Sequence, residues 1–195
     1  MKEAPLKLLY NETQCVDLLA ARIRSHLKGV SDSRPIVLVC VGTDRSTGDS
    51  LGPLVGRSLD RNPSFLPPVY GTIDRPVHAM NLSETLHEVH RDHPNPFIIG
   101  VDACLGQLTS VGCIQVGQGP VKPGAGVNKE LPPVGDIHVT GIVNVGGFME
   151  YFVLQNTRLS LVMSMAEVIS DSFLQSVARI EPLREREALF PSQKV

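Results

Sequence analysis

The chain of 195 residues contains no tryptophan, and all aromatics together amount to 5% of it. Few rings are available to stack on bases, which removes the usual platform of single-strand binders. Basic charge is not in excess either: 18 Lys and Arg stand against 20 Asp and Glu, a formal net charge of -2. Without a broad cationic field, nucleic acid is not the expected partner. No apolar run approaches the roughly 20 residues that cross a bilayer, and the opening Met1-Lys-Glu-Ala-Pro5 has no apolar leader core. The expectation is a cytoplasmic protein with no membrane partner. None of the four cysteines, Cys15, Cys40, Cys104 and Cys113, forms a Cys-x-x-Cys pair, so a thiolate metal site or redox couple is not expected. They read as reduced small hydrophobes. Cys104 follows Asp102 closely enough to be considered as a nucleophile, but no histidine accompanies it in sequence. Nucleotide fingerprints are missing as well. Gly42 and Gly48 are separated by five residues rather than four, with no Lys-Ser/Thr after them, and there is no Gly-x-Gly-x-x-Gly and no Gly-x-Ser-x-Gly.

What is present centres on Val39-Cys-Val-Gly-Thr-Asp-Arg-Ser-Thr-Gly-Asp-Ser-Leu-Gly-Pro53. An apolar run at 36–41 reads as a buried strand. Leu51, Leu54, Val55 and Leu59 then recur at helical spacing, with Pro53 suited to a first turn. The loop between carries Asp44, Arg45 and Asp49. A polar loop beyond the carboxyl end of a strand is where open α/β sheets bind ligands.

Around it, an amphipathic helix is expected over 13–28, with residues 1–10 frayed. Strands are expected at 36–41, 69–73, 97–101, 112–117 and 159–163. Helices follow the loop to about residue 60, begin after Asn81 (with Glu84 as a capping pair), run over 148–155, and close the chain from Ser164 with Ile169, Phe173, Val177 and Ile180 on one side. His87, His90 and His93 share a helical face, and a solvated face is the expected reading over a metal tract. The 117–135 stretch is dense in Gly and Pro and long for a loop, as functional covers often are. It is expected to border the site, Lys122 and Lys129 lending it positive charge. Residues 181–195 read as a charged tail. The alternation of strands and helices predicts a single domain over 1–195, with its core at about 35–180 and a mainly parallel sheet covered on both faces.

Strand one ends in the Asp49 loop and strand three in Asp102. If those strands are neighbours, the two carboxylates meet in one crevice. Paired carboxylates share a proton and activate water, hold a cation, or cap turns.

The loop motif, together with Pro76-Val-His-Ala79, Asp102-Ala-Cys-Leu-Gly106, Pro123-Gly-Ala-Gly-Val127 and Thr140-Gly-Ile-Val-Asn-Val-Gly-Gly-Phe-Met-Glu-Tyr151, resembles the YyaC-type sporulation proteins of endospore-forming bacteria. The likeness runs from about Pro35 to Ile180. More distantly the chain is similar to the spore germination protease and the hydrogenase maturation endopeptidases. The resemblance implies a three-layer α/β/α fold of the phosphorylase/hydrolase-like kind, with a mixed five-stranded sheet of order 2-1-3-5-4 and strand four antiparallel. It places Asp49 and Asp102 on the two acidic positions of a catalytic pair. The histidine that completes a nickel trio in the maturation endopeptidases has no clean counterpart: Val143 or Asn144 stands there, His138 lies upstream and His78 sits after strand two. No metal and no cofactor is therefore expected. The implied function is a sporulation-associated peptidase in the forespore or spore core, acting on a peptide or protein substrate such as a spore protein. Thr43, Asp44, Arg45, His78, His138 and Asn144 are the substrate-side candidates. The alternative is a non-catalytic peptide- or protein-binding member of the same fold.

Overall fold

The structure, a computed structural model, describes residues 4–30, 34–124 and 131–177. Among these residues six strands form one sheet: β1 (Leu6–Leu9), β2 (Ile36–Cys40), β3 (Val69–Tyr70), β4 (Phe97–Gly106), β5 (Cys113–Gln118) and β6 (Ile137–Val145). The helices are α1 (Cys15–Leu27), α2 (Leu51–Asp60), α3 (Leu82–Asp92), α4 (Glu150–Gln155) and α5 (Leu159–Val177). The sheet order is β1-β5-β6-β4-β2-β3. The pairs β2–β3, β2–β4 and β4–β6 are parallel, whereas β5 is antiparallel to both β6 and β1.

The α/β class with a mixed sheet is as expected, but the strand count and order differ in detail. Residues 6–9, expected to fray, alternate half-buried and exposed and add an edge strand against β5. Residues 159–163, expected as a strand, are the first turns of α5. Leu-Ser-Leu-Val-Met is too short to distinguish strand from helix by periodicity. The pattern continues through Val162, Met165, Ala166, Ile169 and Phe173, all buried at helical spacing, which decides for the helix. The strand lies instead at β6, where Gly141 breaks the apolar pattern because Leu51 and Met165 press against it and leave no room for a side chain. Ile180, the tail 181–195 and Lys129 lie outside the described residues.

Each face of the sheet has its own layer. Leu38 and Cys40 of β2 point into a core with α1, α2 and α5. Val37, Val39 and Val41 point the other way, to Val77, Leu82 and Val89 of the α3 side and to Val121 and Val134. This period-two division is what a strand buried on both faces requires. Val121 and Val134 exchange two backbone hydrogen bonds of 2.9 Å, so the Gly/Pro-rich segment is pinched at its base. Among the described residues, no helix is long and apolar enough to cross a membrane.

Candidate active site

The site forms where β2 leaves β4. The two strands pair through Cys40↔Val101, and the Val41 amide still donates to the Val101 carbonyl at 2.7 Å. The chain then turns outward: the Gly42 amide donates to Val77 at 2.8 Å and the Thr43 amide to the Asp49 carbonyl at 3.1 Å. Meanwhile β4 continues. Asp102 is not at its end, as expected from sequence, but in its middle, paired with Thr140 of β6. Its other flank has lost its strand neighbour, and the departing loop leaves a cleft there.

Asp49 enters that cleft from a single 3-10 turn, Gly48–Ser50, which runs directly into α2. The cleft measures about 330 Å³ and is lined by Asp49 and Asp102 together, with Thr43, Arg45, Ser46 and His78 as the other polar groups. Val41, Ala79, Met80, Ala103, Leu131 and Tyr151 supply the apolar wall, with Pro123 and Gly124 of the Gly/Pro-rich segment beside them. The described part of the segment thus borders the site, as expected from sequence. Tyr151 arrives from α4, which packs over the loop through Leu154 against Gly48.

Both carboxyls are shifted. Burial raises that of Asp49, and the nearby Ser46 hydroxyl pulls it partly back. Asp102 is 8% exposed. Burial first, and then the like charge of Asp49, push its carboxyl well above the usual range, against a partly offsetting 2.9 Å hydrogen bond from the Ala103 amide. Two neighbouring carboxylates in a poorly solvated site do not both ionise cheaply, which favours the form of the pair that keeps one proton. One neutral acid beside one carboxylate is the arrangement that activates water.

The substrate-side candidates divide. Thr43, Arg45 and His78 line the cleft; Asp44 is exposed on the same loop but outside the lining. Arg45 does not pair with Asp44. Its guanidinium reaches the Thr43 hydroxyl at 3.4 Å, and among the described residues it has no ion pair. His78 accepts the Met80 amide on Nδ1 at 3.3 Å, which leaves its proton on Nε2 when the ring is neutral. His138 is held two residues before Thr140, its Nδ1 against the Gly119 carbonyl at 2.9 Å. Asn144 fastens α4: its amide donates to the Val153 carbonyl and the Thr157 hydroxyl, each at 3.2 Å. Neither His138 nor Asn144 is in the cleft lining. Asn81 does not cap α3 with its side chain but clamps the turn before it, accepting from the His78 amide and donating to the Pro76 carbonyl.

The other candidates resolve chemically. Burial, then the charge of Asp102, push the Cys104 thiol up to about 11, so it is a protonated thiol and not a nucleophile. His87 and His90 bond to carbonyls of their own helix and His93 to the Tyr70 hydroxyl. Among the described residues, no three of His, Cys, Asp and Glu converge as metal ligands. Sequence reasoning missed Ser46, Met80 and Tyr151. Ser46 stands three residues before Asp49 across the turn, a spacing that could have drawn attention to it.

Comparison with known proteins places these motifs. A family described as "Protein of unknown function (DUF1256)" matches residues 7–172, a span that includes every residue of the cleft. A protein of Bacillus subtilis (strain 168), "Uncharacterized protein YyaC", is 58% identical over 162 residues, covering 83% of this chain and 78% of the relative. The chain belongs to the DUF1256 family.

Proposed function

We propose that the protein is a peptidase-like hydrolase in which Asp49 and Asp102 share a proton and activate water. The observation that supports this is the pair itself: two carboxyls from different elements, in one cleft, each raised by burial and Asp102 raised further by its neighbour. Asp49, the more exposed, acts as base. It takes a proton as the water oxygen adds to the scissile carbonyl carbon, while Asp102 gives its proton to the carbonyl oxygen. On collapse the new hydroxyl returns a proton to Asp102, the C–N bond breaks, and the amine leaves with the proton from Asp49. The His78 Nε2–H offers a further donor to the substrate, and Arg45 a cation for an acidic group. The sporulation setting rests on the resemblance of the loop motifs to the YyaC-type proteins.

A peptide or protein fits the rim. Met80, 82% exposed, and Tyr151, 55% exposed, line the cleft, and the half-exposed Phe152 ring packs edge-on against Tyr151 with centroids 5.9 Å apart. Apolar surface gathered at the mouth of a cleft is the signature of a binding face. Met80→Ser and Tyr151→Ser are each expected to raise KM about tenfold with kcat little changed, since each contact stabilises ground and transition state alike. Steady-state kinetics that lower kcat and leave KM alone would place these side chains elsewhere in the mechanism.

The direct test is incubation with a spore-protein extract, with new chain termini identified by mass spectrometry and Asp49→Asn as control. Termini that appear only with the native protein support hydrolysis. Capture of a peptide without cleavage supports the binding protein instead. A metal-free mechanism further predicts that EDTA leaves turnover unchanged and that elemental analysis finds no stoichiometric nickel or zinc; loss of activity on chelation, restored by either metal, would defeat it.

A further inference from the structure

We propose that Ser46 is the positioning residue of the pair, fixing Asp49 as the ionised base beside a neutral Asp102; this rests on the dyad reading above. Ser46 is 5% exposed and lines the cleft, yet its hydroxyl has no hydrogen-bond partner of good geometry among the described residues. A buried hydroxyl left unmade in a functional cleft calls for an explanation. The local backbone offers it none. The Thr47 carbonyl in the same turn is already taken twice by Ser50, through its amide at 3.3 Å and its hydroxyl at 2.7 Å. Asp49, three residues further on, lines the same cleft, and the Ser46 hydroxyl pulls its carboxyl down against the effect of burial.

A hydroxyl with a single proton to give, facing a carboxyl, favours the ionised form of that carboxyl. Among the described residues Asp102 receives no side-chain donor, only the Ala103 amide, and it lies deeper. The other charged or titratable groups facing Asp49 do not reverse the order. Arg45 is exposed on the same loop and turned to Thr43; His78 comes from the turn before α3, Tyr151 from α4, and Asp102 itself from β4. Of these, the like charge of Asp102 opposes a second ionisation; the deeper burial of Asp102 already favours its neutral form, and Ser46 adds to that asymmetry from the Asp49 side, so that Asp49 holds the water and Asp102 the proton. The reacting carbonyl then points its oxygen at Asp102 and its carbon toward the water on Asp49.

The experiment is a pH titration of the side-chain carboxyl carbons by NMR on the full chain, with native protein, Ser46→Ala and Ser46→Thr, each first shown to be folded by circular dichroism and thermal melting. In the native protein Asp49 should ionise at lower pH than Asp102. Ser46→Ala should move the Asp49 midpoint upward and carry the acid limb of any pH–rate profile with it; Ser46→Thr should restore both. An unmoved midpoint in Ser46→Ala, or Asp102 ionising first in the native protein, overturns the assignment. Two carboxyls that titrate with no mutual influence in Asp49→Asn and Asp102→Asn overturn the dyad itself. The expected titrations without any peptide cleavage would leave Ser46 in its role and remove the peptidase reading alone.

Discussion

Asp102→Asn is expected to stop hydrolysis and, at neutral pH, to raise the melting temperature of the same protein. The first effect follows from removing the carboxyl proposed to give its proton to the substrate oxygen, a loss of about 10²–10⁴ in kcat. Asp49→Asn should cost a similar factor, and the double variant little more than either, because the two act as a unit. The second effect follows from linkage. The Asp102 carboxyl titrates well above its ordinary value in the folded chain, chiefly through burial. Below the unfolded value, about 3.9, both states are protonated and the group costs nothing. As pH rises from there toward the folded value, the unfolded chain releases its proton while the folded chain keeps it, and stability falls throughout that window. At pH 7 the aspartate therefore destabilises the fold. Asparagine carries no proton to release, so the variant should melt higher than the native protein at pH 7, with the two converging near pH 4. Thermal unfolding of both proteins from pH 4 to 8 checks the sign. Equal melting temperatures across that range would mean that Asp102 is not held protonated.

The carboxylate pair was legible in the sequence because each aspartate follows an apolar run that reads as a strand. Strand adjacency did the rest, since β2 beside β4 brings the two together. The exact seat of Asp102 was not legible. A strand that loses one neighbour at Val101 keeps the other to Gly106, and a single sequence shows the apolar run ending without showing that pairing continues.

His138 and Asn144 were candidates because they lie near the position of the histidine in the maturation endopeptidases that the chain resembles, but register decides where such groups sit. His138 pairs with Gly100, two positions before the level of Asp102, and turns to Gly119. Asn144 comes after the register shift at Cys104/Leu105 and serves α4. The apolar mouth escaped notice for the opposite reason. Met80 and Tyr151 are largely apolar side chains of the kind that fill cores, and only their exposure at the cleft gives them meaning.

Gly42→Ala is expected to damage stability and turnover together. Gly42 sits at φ +143, which L side chains rarely adopt, and a Cβ there would overlap the Asp49 carbonyl oxygen and come within 2.9 Å of Pro53 Cδ. The conformational penalty is about 1–3 kcal/mol, and overpacking adds about 1–3 kcal/mol. The overlap cannot be relieved by a side-chain rotation, since the atom in the way is backbone. The 42–49 loop must open, and the Thr43 amide bond to the Asp49 carbonyl opens with it. Asp49 then moves relative to Asp102, and a shift of about 1 Å at a reacting group costs roughly 10² in rate. Gly29→Ala is the control. Gly29 also has a positive φ, +84, but nothing within 4 Å of the added carbon, and it follows α1 far from the cleft in sequence. It should lose stability through backbone strain alone and keep its turnover. Urea unfolding and hydrolysis measured on both variants separate the two causes. A Gly42→Ala protein as stable and as active as the Gly29→Ala protein would show that the loop does not depend on the close approach that now holds Asp49 in place.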